Sequence, residues 1–160
     1  MNKQFWMAGG VGGILLLAGL GWWLLRPPPD FRAVNWGMTP AQVQAQEAAP
    51  LQKAQTASLL YQTVLFEKYP AALEYQFQQG RLAGAKYFSL KKYQDFTACQ
   101  RDFQAIRQQL LAQLGTPQDR DEADFQFAIW ETPQMQVTLT VEKTGAFWSV
   151  EYQPPQTKVK

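Results

Sequence analysis

Among its 160 residues the chain has no histidine and a single cysteine, Cys99. Without histidine there is no Ser-His-Asp triad, and with one cysteine there is no Cys/His zinc site, no haem attachment motif and no intramolecular disulfide framework. Charge is also sparse: 18% of residues, with a net of +2. That balance lacks the basic footprint on which nucleic-acid binding depends. No nucleophile motif is present, so the sequence reads as that of a protein that is not an enzyme and carries no cofactor or metal.

What is present is apolar and aromatic. Hydrophobic residues make up 46% and aromatics 14%, with six Trp and ten Phe, enough for one well-filled domain. From Phe5 to Leu25 no side chain is charged or strongly polar. At about 1.5 Å per residue such a run spans roughly 30 Å, the thickness of bilayer hydrocarbon, and it reads as one transmembrane helix. Trp6 at one end, Trp22 and Trp23 at the other, and the flanking Lys3 and Arg26 fit headgroup-level anchors. A cleaved signal peptide is the alternative, but Gly19-Leu20-Gly21 runs directly into Trp22-Trp23-Leu24-Leu25 and offers no cleavage site before polar chain. Leu20 stands where a lipoprotein would carry its lipidated Cys. Gly9 and Gly13 form a G-x-x-x-G pair suited to close helix packing. A short basic start, one apolar helix and a long remainder form a signal-anchor layout. It places the protein in the bacterial inner membrane as a single-pass chain with a periplasmic domain.

The reading by segments is therefore an anchor over 1–26, a proline spacer over 27–30, a folded domain over 31–152 and a flexible tail over 153–160. Within the domain, Thr39-Pro40-Ala41-Gln42 forms a capping box with proline at the first helical position, predicting a short helix from Pro40 to Ala48. From Leu59 the apolar period changes to two, with Leu59, Tyr61 and Leu65 on one face, then Leu73, Tyr75 and Phe77, a turn at Gln79-Gly80-Arg81, and a strand from Leu82 to Phe88. Tyr93, Phe96, Cys99, Phe103, Ile106, Leu110 and Leu114 then recur at helical spacing up to Gly115. Strands follow at Phe125 to Trp130, Met135 to Glu142 and Ala146 to Tyr152. Phe66-Glu67 before Pro70 matches Trp130-Glu131 before Pro133, and Tyr87 follows Gly80 as Tyr152 follows Gly145. The expected fold class is thus α+β: an N-terminal transmembrane helix, then two helix-strand-strand-strand units forming one antiparallel sheet with helices on one face.

Phe31-Arg32-x-x-x-Trp36-Gly37-Met38-Thr39, followed by a short helix and a meander, resembles the opening of small bacterial envelope proteins. The unit resembles the SmpA/OmlA (BamE-type) small lipoproteins and the related β-lactamase-inhibitor-like fold. The resemblance implies a scaffold or accessory partner in envelope assembly, here with two units in place of one and a protein anchor in place of the lipid.

Four groups stand out as possible sites. Asp119, Asp121, Glu122 and Asp124 could hold a hard cation, but their spacing is not that of an EF-hand and a solvated acidic loop is the plainer reading. Glu67 and Glu131 occupy matching places and could pair for acid–base work, though no nucleophile accompanies them. Lys86, Lys91 and Lys92 interleave with Tyr87, Phe88 and Tyr93, a pattern that a strand edge and helix start explain without nucleic acid. The partner-binding residues expected are Trp36 and Met38, as an anchor beside the first helix, and Gln76, Gln78, Gln136, Thr138 and Thr140, as a polar sheet face. The function expected is a non-catalytic, membrane-anchored interaction or scaffold module of the envelope. The alternative is an accessory single-span subunit of a membrane enzyme complex, packed through Gly9 and Gly13.

Overall fold

A computed structural model of the protein describes residues 28–156. Its elements are α1 (Pro40–Gln46), β1 (Leu51–Ala54), β2 (Ser58–Phe66), β3 (Tyr69–Gln78), β4 (Arg81–Ser89), α2 (Phe96–Leu114), β5 (Gln118–Asp121), β6 (Phe125–Glu131), β7 (Gln136–Glu142) and β8 (Phe147–Gln153). All eight strands form one antiparallel sheet in the order β1-β2-β3-β4-β8-β7-β6-β5. The seam between the halves is the β4–β8 ladder, where Ala85 faces Tyr152 and Tyr87 faces Val150. The residue shift that carries Tyr87 onto Tyr152 also carries Ala85 onto Val150, so the two pairs exchange about an approximate two-fold axis at Lys86–Glu151.

Several expectations are corrected by this architecture. The molecule is dominated by its sheet: each half has four strands where the helix-strand-strand-strand unit had three, and the described helices are only 7 and 19 residues long. The missed strands, β1 and β5, lie at the two edges and are exposed along their whole length, so they show no apolar alternation. No described helix is long and apolar enough to cross a membrane. The transmembrane helix and signal-anchor are therefore not features of the observed fold, and the assignment to the inner membrane with a periplasmic domain is withdrawn with them. The run Phe5 to Leu25 and the pair Gly9 and Gly13 lie outside the described residues.

Local chemistry accounts for the element ends. Thr39 and Gln42 close the capping box of α1, each side chain accepting from the other residue's backbone N–H. α1 stops at Gln46, earlier than the expected Ala48, because the Glu47 side chain is held by Arg32, Tyr75 and the Ala49 amide while its backbone turns extended. α2 is capped by Asp95, which accepts from the Ala98 N–H at 2.8 Å, and ends at Gly115 with φ of 86°.

Both described helices lie on one face of the sheet. Val43 of α1 and Cys99, Phe103, Ile106 and Leu110 of α2 join a core with Leu73, Tyr75, Tyr87, Leu139, Val150 and Trp148. The Trp130 indole donates to the Gly115 carbonyl at 2.8 Å and the Trp148 indole to the Tyr93 hydroxyl at 2.7 Å, tying both ends of α2 to the strands. Alternation along β2 breaks between Tyr61 and Val64, where the register shifts. The extra residue turns Val64 inward, at 5% exposure, and Leu65 outward, at 63%, reversing the facing expected for Leu65.

Candidate functional site

The face of the sheet opposite the helices carries the outward residues of the strands. One cross-strand row runs Ser58, Gln76, Gly84 and, on the other half, Gln153, Gln136, Glu131. The next runs Leu60, Glu74, Lys86, Glu151, Thr138, Ile129, Gln118. A third holds Ala72, Phe88, Ser149, Thr140, Phe127 and Arg120. Gln76, Gln78, Gln136, Thr138 and Thr140 thus share this face, all half-buried except the exposed Gln78.

Beyond the third row the face becomes apolar. Leu65 stands opposite Pro70, the Leu90 amide reaches the Pro70 carbonyl at 3.2 Å, and Phe147 and Phe125 both stand opposite Glu142. Leu65, Leu90 and Phe147 are 63%, 42% and 38% exposed, three of the four large hydrophobic side chains so exposed among the described residues. Half-buried Phe88, Phe125 and Phe127 lie behind them. Sequence reading missed this end because the β2 bulge, and the position of Leu90 just past β4, are invisible to a period-two pattern.

Trp36 and Met38 lie apart from that face. Trp36 stacks on Phe31 at 6.2 Å, and the Phe31 ring in turn meets Tyr75, Tyr87 and Tyr152 of the core side. The Gly37 N–H donates to the Leu82 carbonyl and the Leu82 N–H to the Met38 carbonyl, so this stretch is pinned along the start of β4. Both side chains are half-buried against the core.

Beneath α1 the structure assembles a polar cluster. Arg32, at φ of 49°, makes two hydrogen bonds of 3.0 Å to the Glu47 carboxylate and one of 3.0 Å to the Tyr87 hydroxyl. The Tyr75 hydroxyl donates to Glu47 at 2.6 Å and the Ala49 N–H at 3.1 Å, and the carboxylate side chain is only 2% exposed. Burial opposes ionisation of Glu47, but the bonds from Tyr75, Ala49 and Arg32 outweigh it and hold the carboxyl below its ordinary value. Burial, then the adjacent carboxylate, push the Tyr75 hydroxyl well above the ordinary tyrosine value. With every oxygen committed, the cluster has the form of a structural clamp.

The other candidate groups separate. Asp119 and Asp121 belong to β5, not to a loop, and each is paired, with Arg107 at 3.0 Å and Lys143 at 2.6 Å. Glu122 pairs with Arg120 at 3.6 Å, and no cluster of metal-ligating groups occurs among the described residues. Beside them α2, β5 and β6 border an open cleft of about 320 Å³, lined by Phe103, Gln104, Arg107, Asp119, Gln126 and Phe127. Glu67 follows β2 and Glu131 ends β6, and those strands lie five spacings apart, which at about 4.8 Å each is roughly 24 Å, too far for one reaction centre. Tyr87 is buried, Lys86 pairs with Glu151, and Lys91 pairs with Asp102 while lying over the Tyr93 ring at 4.8 Å, so these side chains are engaged within the fold. Burial pushes the Cys99 thiol up to about 11.

No protein-family model, curated protein or solved structure matches the chain.

Proposed function

We propose that this protein is a non-catalytic interaction module that engages a protein partner through the open face of its sheet. The observation that carries this reading is the exposed apolar end of that face: Leu65, Leu90 and Phe147 lie together on the side away from both described helices. Clustered exposed hydrophobics of this kind mark interaction sites, whereas single ones do not. The adjoining Gln76, Gln136, Thr138 and Thr140 supply the adaptable polar margin that a protein interface uses. The resemblance to SmpA/OmlA small lipoproteins, which serve as scaffolds, agrees with this role. The buried polar groups hold the fold: Glu47 is saturated with hydrogen bonds, and Cys99 lies in the helix–sheet core.

Site-specific photocrosslinking in the cells that produce the protein tests the proposal. A crosslinker at Phe147 or Leu65 should give a discrete protein adduct, and one at Gln104 on the helix side should not. Adducts arising only from Gln104, or none from either outer position, would remove the outer face as the working surface.

A further inference from the structure

We infer that the outer face receives a basic amphipathic helix of the partner, its apolar side laid on Leu65, Leu90 and Phe147 and its cations over Glu74, Glu142 and Glu151. This rests on the outer face being the working surface and adds the chemistry of what covers it.

Charge on the two faces is organised differently. On the helix side, ion pairs join Arg32 to Glu47, Lys91 to Asp102 and Arg107 to Asp119. Across the five strands β3, β4, β8, β7 and β6, the outward positions carry four carboxylates, Glu74, Glu151, Glu142 and Glu131, against two cations, Lys86 and, opposite Gln78 at the start of β4 and away from the apolar end, Arg81. Lys86 stands opposite both Glu74 and Glu151 in register but pairs only with Glu151, at 3.9 Å. The other cations nearby point elsewhere: Arg120 pairs with Glu122, Lys143 with Asp121, and the Arg81 guanidinium is drawn to the Gly37 carbonyl at 3.2 Å. Lys53 lies out on the edge strand β1. Glu74, Glu131 and Glu142 therefore have no cation partner among the described residues.

This pattern selects among occupants. A second copy would set the same carboxylates against each other, and a polyanion would be repelled. A cationic segment with an apolar stripe matches both features at once. The apolar end runs from Leu65 on β2 to Phe125 on β6, across five strand spacings or roughly 24 Å. A helix of about 16 residues covers that length at about 1.5 Å per residue.

The test uses the purified full-length chain and two synthetic 16-residue amphipathic peptides that share one leucine stripe, with lysine on the polar side of one and glutamate on the other. The lysine peptide should bind at least ten-fold more tightly, with an advantage that shrinks as salt rises. The combined Glu74→Lys, Glu142→Lys and Glu151→Lys protein should reverse the preference, and the corresponding triple Gln protein should abolish it if the lysine version fails to fold. Phe147→Ser should weaken binding of the lysine peptide several-fold. Equal binding of the two peptides, tighter binding of the glutamate peptide, or no binding by either would overturn the inference. Mapping by amide chemical shifts separates the two levels. A glutamate peptide bound on the outer face defeats the charge argument alone, whereas peptides that bind only at the α2–β5 cleft defeat the outer-face reading too.

Discussion

The two halves of the sheet run the same order of elements but hold their helices by different means. α2 has 19 residues and buries four of them, Cys99, Phe103, Ile106 and Leu110, so apolar area suffices to seat it. α1 has seven residues and buries only Val43. A helix that short is marginal without tertiary support, and here the support is chemical: the Arg32–Glu47–Tyr75 cluster at its C-terminus and the Phe31–Trp36 stack beside it. The second half has a related device, in which Tyr93 and Lys91 both donate to Asp102, but Asp102 sits on a helix already secured by its core stripe. When the helix shortens, directional bonds take over from burial.

The largest effects should expose that division. Phe103→Ala should cost roughly 3–5 kcal/mol in chemical denaturation, because it removes a core aromatic on which α2 depends. Val43→Ala removes two methyl groups and should cost about 1.6 kcal/mol at roughly 0.8 kcal/mol each. Equal losses would mean that α1 is seated by apolar area after all.

The polar clamps should rank in the opposite order. Glu47→Ala strands the Tyr75 hydroxyl and the Ala49 N–H in a site where the carboxylate was 2% exposed, a loss of about 1–3 kcal/mol. Asp102→Ala should cost less than about 1 kcal/mol, since its Lys91 partner is 50% exposed and screened by solvent. The Glu47 contribution also depends on pH. Folding lowers its carboxyl below the ordinary value, so the stabilisation is complete above the unfolded value and disappears as pH falls through the folded one. Stability measured from neutral pH downward should therefore fall less steeply in Glu47→Gln than in the parent chain.

Smaller in energy but sharper in readout is Cys99. Its thiol is fully buried on the core side of α2 and raised to about 11, so a thiol reagent at pH 8 should label it only through unfolding. Labelling that is immediate in the native protein, with no change on adding denaturant, would place the thiol outside the core.

Legibility followed the same physics as stability. The core stripe of α2 and the alternation of β7 were written plainly, because apolar burial imposes a period on sequence. Edge strands β1 and β5 bury no face and so left no period, which is why three strands per half were expected where four exist. The β2 bulge displaced Leu65 onto the outer face, and one inserted residue is enough to defeat a period-two reading. Glu47 does not stand out in the sequence because its partners Arg32 and Tyr75, and the Tyr87 that in turn holds Arg32, converge only through tertiary structure. Composition alone groups Trp36 and Met38 with the glutamines and threonines as binding residues. The fold sends them to opposite sides of the sheet, since Phe31 draws Trp36 toward the tyrosines of the core.

The gentlest change to the fold should be the most informative about function. Gln136 and Thr138 are half-buried residues of β7 that face away from the helices, and among the described residues the Gln136 side chain hydrogen-bonds only Gln156, at 3.3 Å. Replacing both with Lys should leave stability within about half a kcal/mol, as surface changes away from caps and cores do. Thr138 stands directly opposite Glu151, so one new ammonium group lands beside a carboxylate that the proposed partner uses. Docking of a basic segment should then weaken, and weaken more at low salt than at high salt, because the loss is electrostatic. The mirror change on the helix side, Gln104→Lys with Gln108→Lys, adds the same charge to the exposed surface of α2 and should leave docking unaltered. A loss of binding from the helix-side pair alone, with the β7 pair silent, would transfer the interface to α2 and make the open sheet face a bystander.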